Sequence, residues 1–218
     1  MCGRFTNAVT WRELVELYRI HDQPALNLRP RYNVAPTQEI PFCRLANSGR
    51  EIVVGRWGLI PGWAKDLKIG YSTINARAET VAEKPSFRSA FKYRRCLIPA
   101  DGFYEWKKQP DGTKQPYRLC LGDHRPFSSA GLWERNDRLE VTSCTIIVTT
   151  PNEVAAEIHD RMPVILDPEE YDAWLSPATT ADDAKGFLRP YEGTMIAYPV
   201  SKDVGSVKND RPDLVEAL

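Results

Sequence analysis

Residues 94–106 have the sequence RRCLIPADGFYEW, and this stretch decides the fold class. It predicts two strands, 94–99 and 102–108, with no helix between them. Working outward, further strands are predicted at 39–47, 51–60, 71–75, 117–122, 126–134, 140–149 and 194–200. Because these strands do not alternate with long helices, a parallel doubly wound sheet is excluded. We expect an α+β protein whose antiparallel-rich core resembles a β-barrel, with helices at the periphery.

The helices predicted around this core are short and begin at recognisable caps. A capping box from Thr10 to Glu13 starts a helix over 11–20. Similar caps are expected at Thr150, Asp167 and Thr180, helical turns at 78–92, and a long irregular loop at the proline-bearing segment 22–38. We expect one compact domain over 1–218, with its core at about 2–200 and a polar, loosely ordered tail at 201–218.

Composition excludes several classes of protein. The 218 residues are 42% hydrophobic and 27% charged, which argues against intrinsic disorder. No apolar run approaches the roughly 20 residues that span a bilayer, and the N-terminus does not have the pattern of a secretory signal, so we expect a cytoplasmic protein with no membrane partner. The five cysteines lack metal-ligand spacing and are expected to be reduced thiols. No metal or other cofactor is expected.

Charge is balanced overall but uneven along the chain. There are 29 basic and 29 acidic residues, with sixteen basic against eight acidic in 1–100 and thirteen against twenty-one in 101–218. Such a split can mark a nucleic-acid face, or the two halves can neutralise each other across one fold. Charge alone favours the second interpretation.

Cys2 has a chemical possibility that the other four cysteines lack. If Met1 is removed, Cys2 presents an α-amine and a thiol on adjacent carbons. Such a 1,2-aminothiol condenses with an aldehyde to an imine, which the thiol then closes to a five-membered thiazolidine. The α-amine has a pKa of about 7.7 against about 10.4 for lysine, so far more of it is neutral near physiological pH. A Met-Cys start also arises by chance, and alone it would carry little weight.

Two strand-borne motifs could supply polar chemistry. Asn75 and Arg77 are two residues apart on an extended segment, so their side chains would face the same way. An amide and a guanidinium on one face could bind a phosphate or a sugar. A helix cap and a surface charge explain the pair about as well. Glu105 lies between two aromatic residues; if it is buried, its pKa rises toward that of a general acid–base. The alternative is an outward-facing glutamate on an alternating strand.

Three further residues are candidates by context. His159 follows a capped helix and is flanked by an acid and a base, so it is a candidate acid–base or simply a helix C-cap. Trp63 follows a Pro-Gly turn and is expected at a rim, where it could stack on a nucleobase. Arg4 could hold an anion beside Cys2, although a flexible terminus is the simpler interpretation.

Together, eight blocks closely resemble one family, in order along residues 2 to about 200. They are MCGRF at the start, RYNVAPTQ at 31–38, RWGLIPGWAKD at 56–66, NARAET at 75–80, RRCLIPADGFYEW at 94–106, AGLWE at 130–134, TIIVTTPN at 145–152 and IHDRMPVIL at 158–166. The family is SRAP, the SOS response-associated peptidase or abasic-site-processing proteins. The resemblance implies a compact α+β fold with a barrel-like core and a positively charged cleft.

The resemblance also implies a function. Members bind single-stranded DNA at an abasic site and link covalently to its ring-opened aldehyde through the N-terminal cysteine, forming a thiazolidine crosslink that shields the lesion. Carried onto this sequence, Cys2 is the nucleophile freed by self-removal of Met1, and Asn75 orients its amine. Glu105 is the acid–base of imine formation and reversal, and His159 protonates or positions the opened sugar oxygen.

The remaining residues implied by the resemblance contact DNA. Four would hold phosphates and the fifth would stack at the junction: Arg4, Asn33, Arg77 and Arg161, with Trp63. The chain looks like the short bacterial-type form, so recruitment of protein partners through a long C-terminal extension is not expected, and a monomer is. Two other functions fit the same residues: an N-terminal-nucleophile cysteine peptidase or amidohydrolase, and a non-catalytic single-strand-binding module.

Overall fold

A computed structural model describes residues 2–218, and thirteen strands carry most of the architecture. They are β1 (Arg4–Asn7), β2 (Arg31–Val34), β3 (Glu39–Ala46), β4 (Gly49–Trp57), β5 (Asn75–Arg77), β6 (Arg95–Ala100), β7 (Gly102–Lys108), β8 (Lys114–Leu121), β9 (Phe127–Asn136), β10 (Val141–Thr149), β11 (Met162–Pro163), β12 (Ile165–Leu166) and β13 (Met195–Pro199).

Five short α-helices lie around the strands: α1 (Trp11–Tyr18), α2 (Arg88–Tyr93), α3 (Glu153–Ala156), α4 (Tyr171–Leu175) and α5 (Ala181–Lys185). Turns of 3-10 helix occur at Leu67–Tyr71, Pro168–Glu170, Lys202–Gly205 and Pro212–Val215. None of the helices in residues 2–218 is long and apolar enough to cross a membrane.

Five strands close into a barrel, in the order β10-β4-β3-β6-β9, because β9 pairs back onto β10. All pairings around this ring are antiparallel except that of β10 with β4. The short strand β5 also runs parallel to β10 and sets Asn75 opposite Ile146. The expected α+β fold with an antiparallel-rich barrel core and peripheral helices is therefore confirmed.

A second sheet packs against the barrel and contains the N-terminal strand β1. Its order is β13-β8-β7-β1-β2, with every pairing antiparallel. The chain crosses from barrel to sheet inside the stretch 94–106, since β6 ends at Ala100 and β7 begins at Gly102. The barrel and this sheet share an apolar cluster that includes Cys2, Phe5, Trp57 and Phe103.

The corner between β6 and β7 depends on Arg118, whose guanidinium is almost fully buried. It donates to the carbonyl of Asp101 at 2.8 Å and to the Asp101 carboxylate at 3.1 Å. The Asp101 carboxylate in turn accepts from the backbone N–H of Ala8 at 3.1 Å. This network fastens the segment after β1 to the start of β7, where the side chain of Arg118 lies against Gly102.

Helix caps follow the sequence in three of the four predicted cases. Thr10 and Glu13 form the expected reciprocal box at the start of α1, and Thr180 accepts from the N–H of Asp183 at the start of α5. Asp167 is the N-cap of the turn Pro168–Glu170 that leads into α4, and its backbone N–H donates to the Glu170 carboxylate. The cap predicted at Thr150 is wrong: the N-cap of α3 is Asn152, whose side chain accepts from Ala155 N–H. Asn152 caps the helix in place of Thr150, because its side-chain carbonyl reaches the third N–H of the helix.

Two other predictions of local structure need correction. Segment 22–38 is not wholly irregular, because it contains β2. The strand predicted at 71–75 is wrong for all but its last residue, since Tyr71 ends a 3-10 turn and extended structure begins only at Asn75. The helical turns predicted at 78–92 are confirmed, because turns precede the α-helix Arg88–Tyr93.

The expectation of a loosely ordered tail at 201–218 is also wrong. Val204 and Leu214 are fully buried and join Tyr104 and Val200 in an apolar cluster on the second sheet. Burying an aliphatic side chain of this size stabilises the fold by about 1.5–3 kcal/mol. Two buried aliphatic side chains therefore help to hold a segment that is polar on average.

We expect Gly102→Ala to lower the free energy of unfolding by about 1–3 kcal/mol, because its new Cβ would lie 2.8 Å from Nε of the immobilised Arg118. Urea unfolding measures this change. Gly62→Ala is the matched control, since a Cβ there meets no atom within 4 Å. Equal unfolding midpoints for the two variants would show that the corner tolerates the extra carbon.

Candidate active site

Pairing between β1 and β7 brings Cys2 to Glu105. The register sets Arg4 opposite Tyr104 and Phe5 opposite Phe103. Extended by one residue, it places Gly3 opposite Glu105, next to Cys2. Cys2 precedes the strand and packs in the same apolar cluster as Phe5, with only 2% of its surface exposed.

The Glu105 carboxyl is buried close to the Cys2 thiol, as the interpretation of Glu105 as an inward-facing residue requires. Only 3% of Glu105 is exposed, and burial raises the pKa of its carboxyl, with the nearby His159 acting in the opposite direction. Burial, reinforced by the charge of Glu105, also raises the pKa of the Cys2 thiol well above its ordinary value. The environment therefore favours the neutral thiol of Cys2 over the thiolate and the protonated carboxyl of Glu105 over the carboxylate.

His159 lies on the other side of Glu105. Its Nε2 is 3.8 Å from Glu105 Oε2, within the range of an ion pair but long for a hydrogen bond. Its Nδ1 accepts from the backbone N–H of Arg161 at 3.1 Å and lies 3.0 Å from Asp160 Oδ1. A neutral ring with its proton on Nε2 can accept the hydrogen bond from Arg161 at Nδ1, whereas a protonated ring can donate from Nδ1 to Asp160. Both protonation states thus have a partner at Nδ1.

Asn75 contributes a buried amide with unmet hydrogen-bonding capacity. Only 8% of it is exposed, and within residues 2–218 neither its Oδ1 nor its Nδ2 has a hydrogen-bond partner. Leaving such a group unsatisfied costs about 1–3 kcal/mol. Its strand partner Ile146 lines the same crevice as Cys2, so Asn75 and Cys2 belong to the same end of the barrel.

The crevice beside Cys2 is narrow and mostly apolar. Its volume is about 10 Å³, room for about one water molecule, and it is lined by Cys2, Arg4, Phe5, Ile98, Ala100, Phe103, Phe127, Ser129, Ile146 and Pro163. A wider groove of about 520 Å³ opens elsewhere, but it contains none of the four candidate catalytic residues. Within residues 2–218, His, Cys, Asp and Glu form no group of three or more that could hold a metal ion.

Three of the predicted DNA-contacting residues are accessible in whole or in part. Trp63 is 60% exposed, at a rim as the sequence predicts, and Arg77 is exposed at the end of β5. Arg161 follows His159 closely, and its Nη1 binds Glu79 Oε1 at 2.5 Å. Contact of these three residues with DNA stays a prediction.

The other two lie in a different environment. Arg4 donates to the carbonyls of Val204 and Gly205, and Asn33 is fully buried with its amide bound to carbonyls of the same segment. Their contact with DNA also stays a prediction, but in this structure both are engaged by the C-terminal residues.

Sequence reasoning overlooked Glu79 as a member of the site region. Burial raises the pKa of its carboxyl, but the hydrogen bond from Arg161, a backbone hydrogen bond and the charges of Arg161 and Arg77 together lower it below its ordinary value. The available signal was its position in NARAET, two residues after Arg77. The partner Arg161 is 82 positions away, so the ion pair itself had no local signature.

Glu105→Gln should stabilise the protein increasingly as pH rises. The folded-state pKa lies above the unfolded value of about 4.5, so wild-type stability falls as pH rises from that value through the folded pKa, whereas glutamine does not titrate. We expect the difference in melting temperature, variant minus wild type, to grow between about pH 4 and pH 8.

Glu79→Gln is the matched control. The pKa of Glu79 is lowered in the folded protein, so the stability of wild type increases as pH rises from the folded-state pKa to the unfolded value. Its melting difference should therefore run in the opposite direction. A pH-independent difference for Glu105→Gln would contradict the assignment of a raised pKa to this carboxyl.

Known proteins resemble this chain in both sequence and fold. The family model described as SOS response associated peptidase (SRAP) matches residues 1–207. The chain is 48% identical to the abasic site processing protein YoqW of Bacillus subtilis and 30% identical to the abasic site processing protein YedK of Escherichia coli, each over all of both chains. A crystal structure of a Bacteroides thetaiotaomicron protein superposes with a TM-score of 0.89 at 28% identity, covering both chains fully. The chain therefore belongs to the SRAP family.

Proposed function

We propose that this protein captures abasic sites in single-stranded DNA by forming a thiazolidine between Cys2, freed of Met1, and the ring-opened sugar aldehyde. The observation that carries the proposal is that the β1–β7 register brings the buried Cys2 thiol close to the buried Glu105 carboxyl, with His159 Nε2 3.8 Å from Glu105 Oε2. The names of the relatives, abasic site processing proteins, support the same substrate.

The first step is removal of Met1 by the protein itself. Water adds across the peptide bond between Met1 and Cys2, and the products are free methionine and the α-amine of Cys2. This hydrolysis is the peptidase activity of the proposal, and it acts on the chain's own N-terminus. It creates the only group in the chain that places an amine and a thiol on adjacent carbons.

Imine formation follows. The neutral α-amine attacks C1′ of the aldehyde, a C–N bond forms, and water leaves after the carbonyl oxygen has been protonated. A carboxyl with a raised pKa, such as Glu105, supplies that proton near neutral pH. The contacts at Nδ1 orient the His159 ring. Its Nε2 supplies a proton to the sugar oxygen released on ring opening, or shares one with it.

Ring closure completes the crosslink. The thiol adds across the C=N bond, so that an S–C bond forms and the thiol proton passes through Glu105 to nitrogen. The raised pKa of Cys2 suits this order, since the thiol stays protonated until the imine is in place. A cysteine hydrolase needs a stabilised thiolate instead, so the same pKa weighs against general peptidase activity in trans.

Asn75 would orient the amine and the approaching sugar. Its buried amide has one acceptor and two donor positions unused within residues 2–218. The Cys2 amine and a sugar hydroxyl would satisfy them, which would recover the cost of burying the amide unpaired.

DNA would reach this centre along Arg77, Arg161 and Trp63. The two guanidinium groups would hold phosphates on either side of the opened sugar. Stacking of a base on Trp63 would contribute about 1–3 kcal/mol. In this proposal the protein acts as a monomer on DNA in the cytoplasm, and the crosslink shields the lesion from strand cleavage.

A denaturing gel with an abasic oligonucleotide tests the proposal. Wild type should give a heat-stable adduct, and Cys2→Ala should give none. Cys43→Ala is the matched control, because Cys43 is also buried but lies in the other apolar cluster. One extra residue that remains in front of Cys2 should also abolish the adduct, since the amine is then blocked.

Other outcomes identify the alternatives. Turnover of peptides without an adduct would indicate the cysteine hydrolase. Equal protection of DNA by wild type and Cys2→Ala would indicate a non-catalytic binding module.

Glu105→Gln should slow both formation and reversal of the adduct, by roughly 10²–10⁴-fold, because an amide cannot exchange the proton that both directions need. Single-turnover gels with the abasic oligonucleotide measure formation. Transfer of the protein from the isolated adduct to excess unlabelled abasic DNA measures reversal. A reversal rate equal to that of wild type would refute the acid–base role.

A further inference from the structure

The C-terminal residues 202–215, here called the clasp, cover the outer face of the second sheet. Val204 and Leu214 of the clasp pack fully buried against Tyr104 of β7. Side chains alternate along a strand, so Tyr104 points away from the face of β7 that carries Phe103 and Glu105. Its pairing partner Arg4 connects the two regions, since it lines the crevice beside Cys2 and donates to the clasp through its guanidinium.

The Arg4 guanidinium is hydrogen-bonded to the clasp and to Asn33. Its Nη1 donates to Val204 O at 2.8 Å and to Asn33 Oδ1 at 2.9 Å. Its Nη2 donates to Gly205 O at 3.2 Å. Three acceptors therefore already surround a guanidinium that stands two residues from Cys2.

Asn33 links β2 to the same segment. It is fully buried, and its Nδ2 lies within hydrogen-bond distance of three clasp carbonyls: Val204 O at 3.1 Å, Ser206 O at 3.0 Å and Asn209 O at 2.8 Å. An amide nitrogen has only two protons, so its donors are saturated. A phosphate cannot reach this side chain unless the clasp first leaves.

Two further residues, Asp210 and Tyr104, tie the clasp to β2 and β7. The carboxylate of Asp210 accepts from the backbone N–H groups of Tyr32 and Asn33, at 2.6 and 3.2 Å, and pairs with Nε of Arg31 at 2.5 Å. The hydroxyl of Tyr104 lies 3.3 Å from Leu214 O of the clasp and 2.9 Å from Tyr32 O of β2. The clasp is thus bound to both strands that flank β1.

We propose that the clasp, through Arg4 and Asn33, is a positioning device that holds β1 so that Cys2 stays against Glu105, and that neither Arg4 nor Asn33 binds DNA phosphates. The proposal rests on the proposed crosslinking function. It assigns to the C-terminal residues a part in a reaction carried out at the N-terminus.

The physical need for such a device lies in β1. The strand has four residues, and its pairing with β2 is irregular, with partners only at Phe5 and Asn7. A short strand at a chain terminus frays unless it is tied down. The rate of ring closure depends on the fraction of time in which thiol, amine and carboxyl are aligned, so fraying lowers the rate rather than the affinity for DNA.

Arg4→Ala separates positioning from phosphate binding. Single-turnover crosslinking with an abasic oligonucleotide gives the maximal rate constant, and binding to an intact oligonucleotide of equal length gives Kd at several salt concentrations. We expect the maximal rate constant to fall at least about tenfold, with Kd within about twofold and the slope of log Kd against log salt unchanged. A phosphate ligand would instead weaken binding and reduce the slope by about 0.7, and that change in slope would overturn the proposal whatever happens to the rate.

Asp210→Asn tests the clasp without altering β1, and it decides the matter if Arg4→Ala fails to fold in a thermal melt. It should lower the maximal rate constant and leave Kd and the salt slope as in wild type; an unchanged rate constant would overturn the proposal. Arg161→Ala is the positive control for loss of a phosphate contact. Wild type is the internal reference: no adduct with wild type would refute the proposed function itself, whereas a normal wild-type adduct leaves the inference to be judged on the variants.

Discussion

The antiparallel pairing of β1 with β7 is the interaction on which the rest of the structure depends. It places the second residue of the chain beside residue 105, because Arg4 pairs with Tyr104 and Phe5 with Phe103. A reactive group at a terminus is ordinarily the least ordered part of a protein. Here the Arg118 network fastens the chain just after β1 to the corner at Asp101, and the C-terminal residues cover the opposite face. Order at the terminus is thus imposed by contacts from three distant parts of the chain.

The same burial that orders the site makes it unfavourable for stability. Glu105 carries a carboxyl whose ionisation is opposed by burial, and Asn75 carries an amide with no partner in residues 2–218. Neither feature helps the protein to fold, since apolar residues of similar shape would avoid both penalties. Such costs are concentrated where chemistry requires a protonated carboxyl and unfilled donors and acceptors. The large apolar cluster around Phe5, Trp57 and Phe103 supplies the stability that offsets them.

Local pattern was enough to predict the barrel but left the orientation of Glu105 open. The barrel strands are six to ten residues long and rich in β-branched and aromatic residues. Glu105 shares a strand face with Phe103, which favours burial, and the structure decides for the inward orientation over the outward one. The strands β1 and β2 were missed because four residues show too little periodicity to be distinguished from loop. The order of the tail was missed for another reason. Its anchors, Arg4 and Asn33, lie about 170 to 200 positions away, and no local pattern reports a contact of that range. Assignment of a role to Asn33 from resemblance likewise could not reveal that its amide is already occupied.

Charge pairing bears on how a chain with no net charge could bind DNA in the proposed function. Arg161 is held by Glu79 at 2.5 Å, with Arg77 nearby. A carboxylate on a guanidinium occupies the position that a phosphate would take, so binding DNA there would exchange one anion for another. The exposed half of Glu79 would let the carboxylate return to water at little cost, since surface ion pairs contribute only about 0–1 kcal/mol. Under the proposal, exchange of this kind would limit the affinity of non-covalent binding and allow rapid movement along undamaged strands. Lasting attachment would then come from the covalent step at Cys2, which only an aldehyde can trigger.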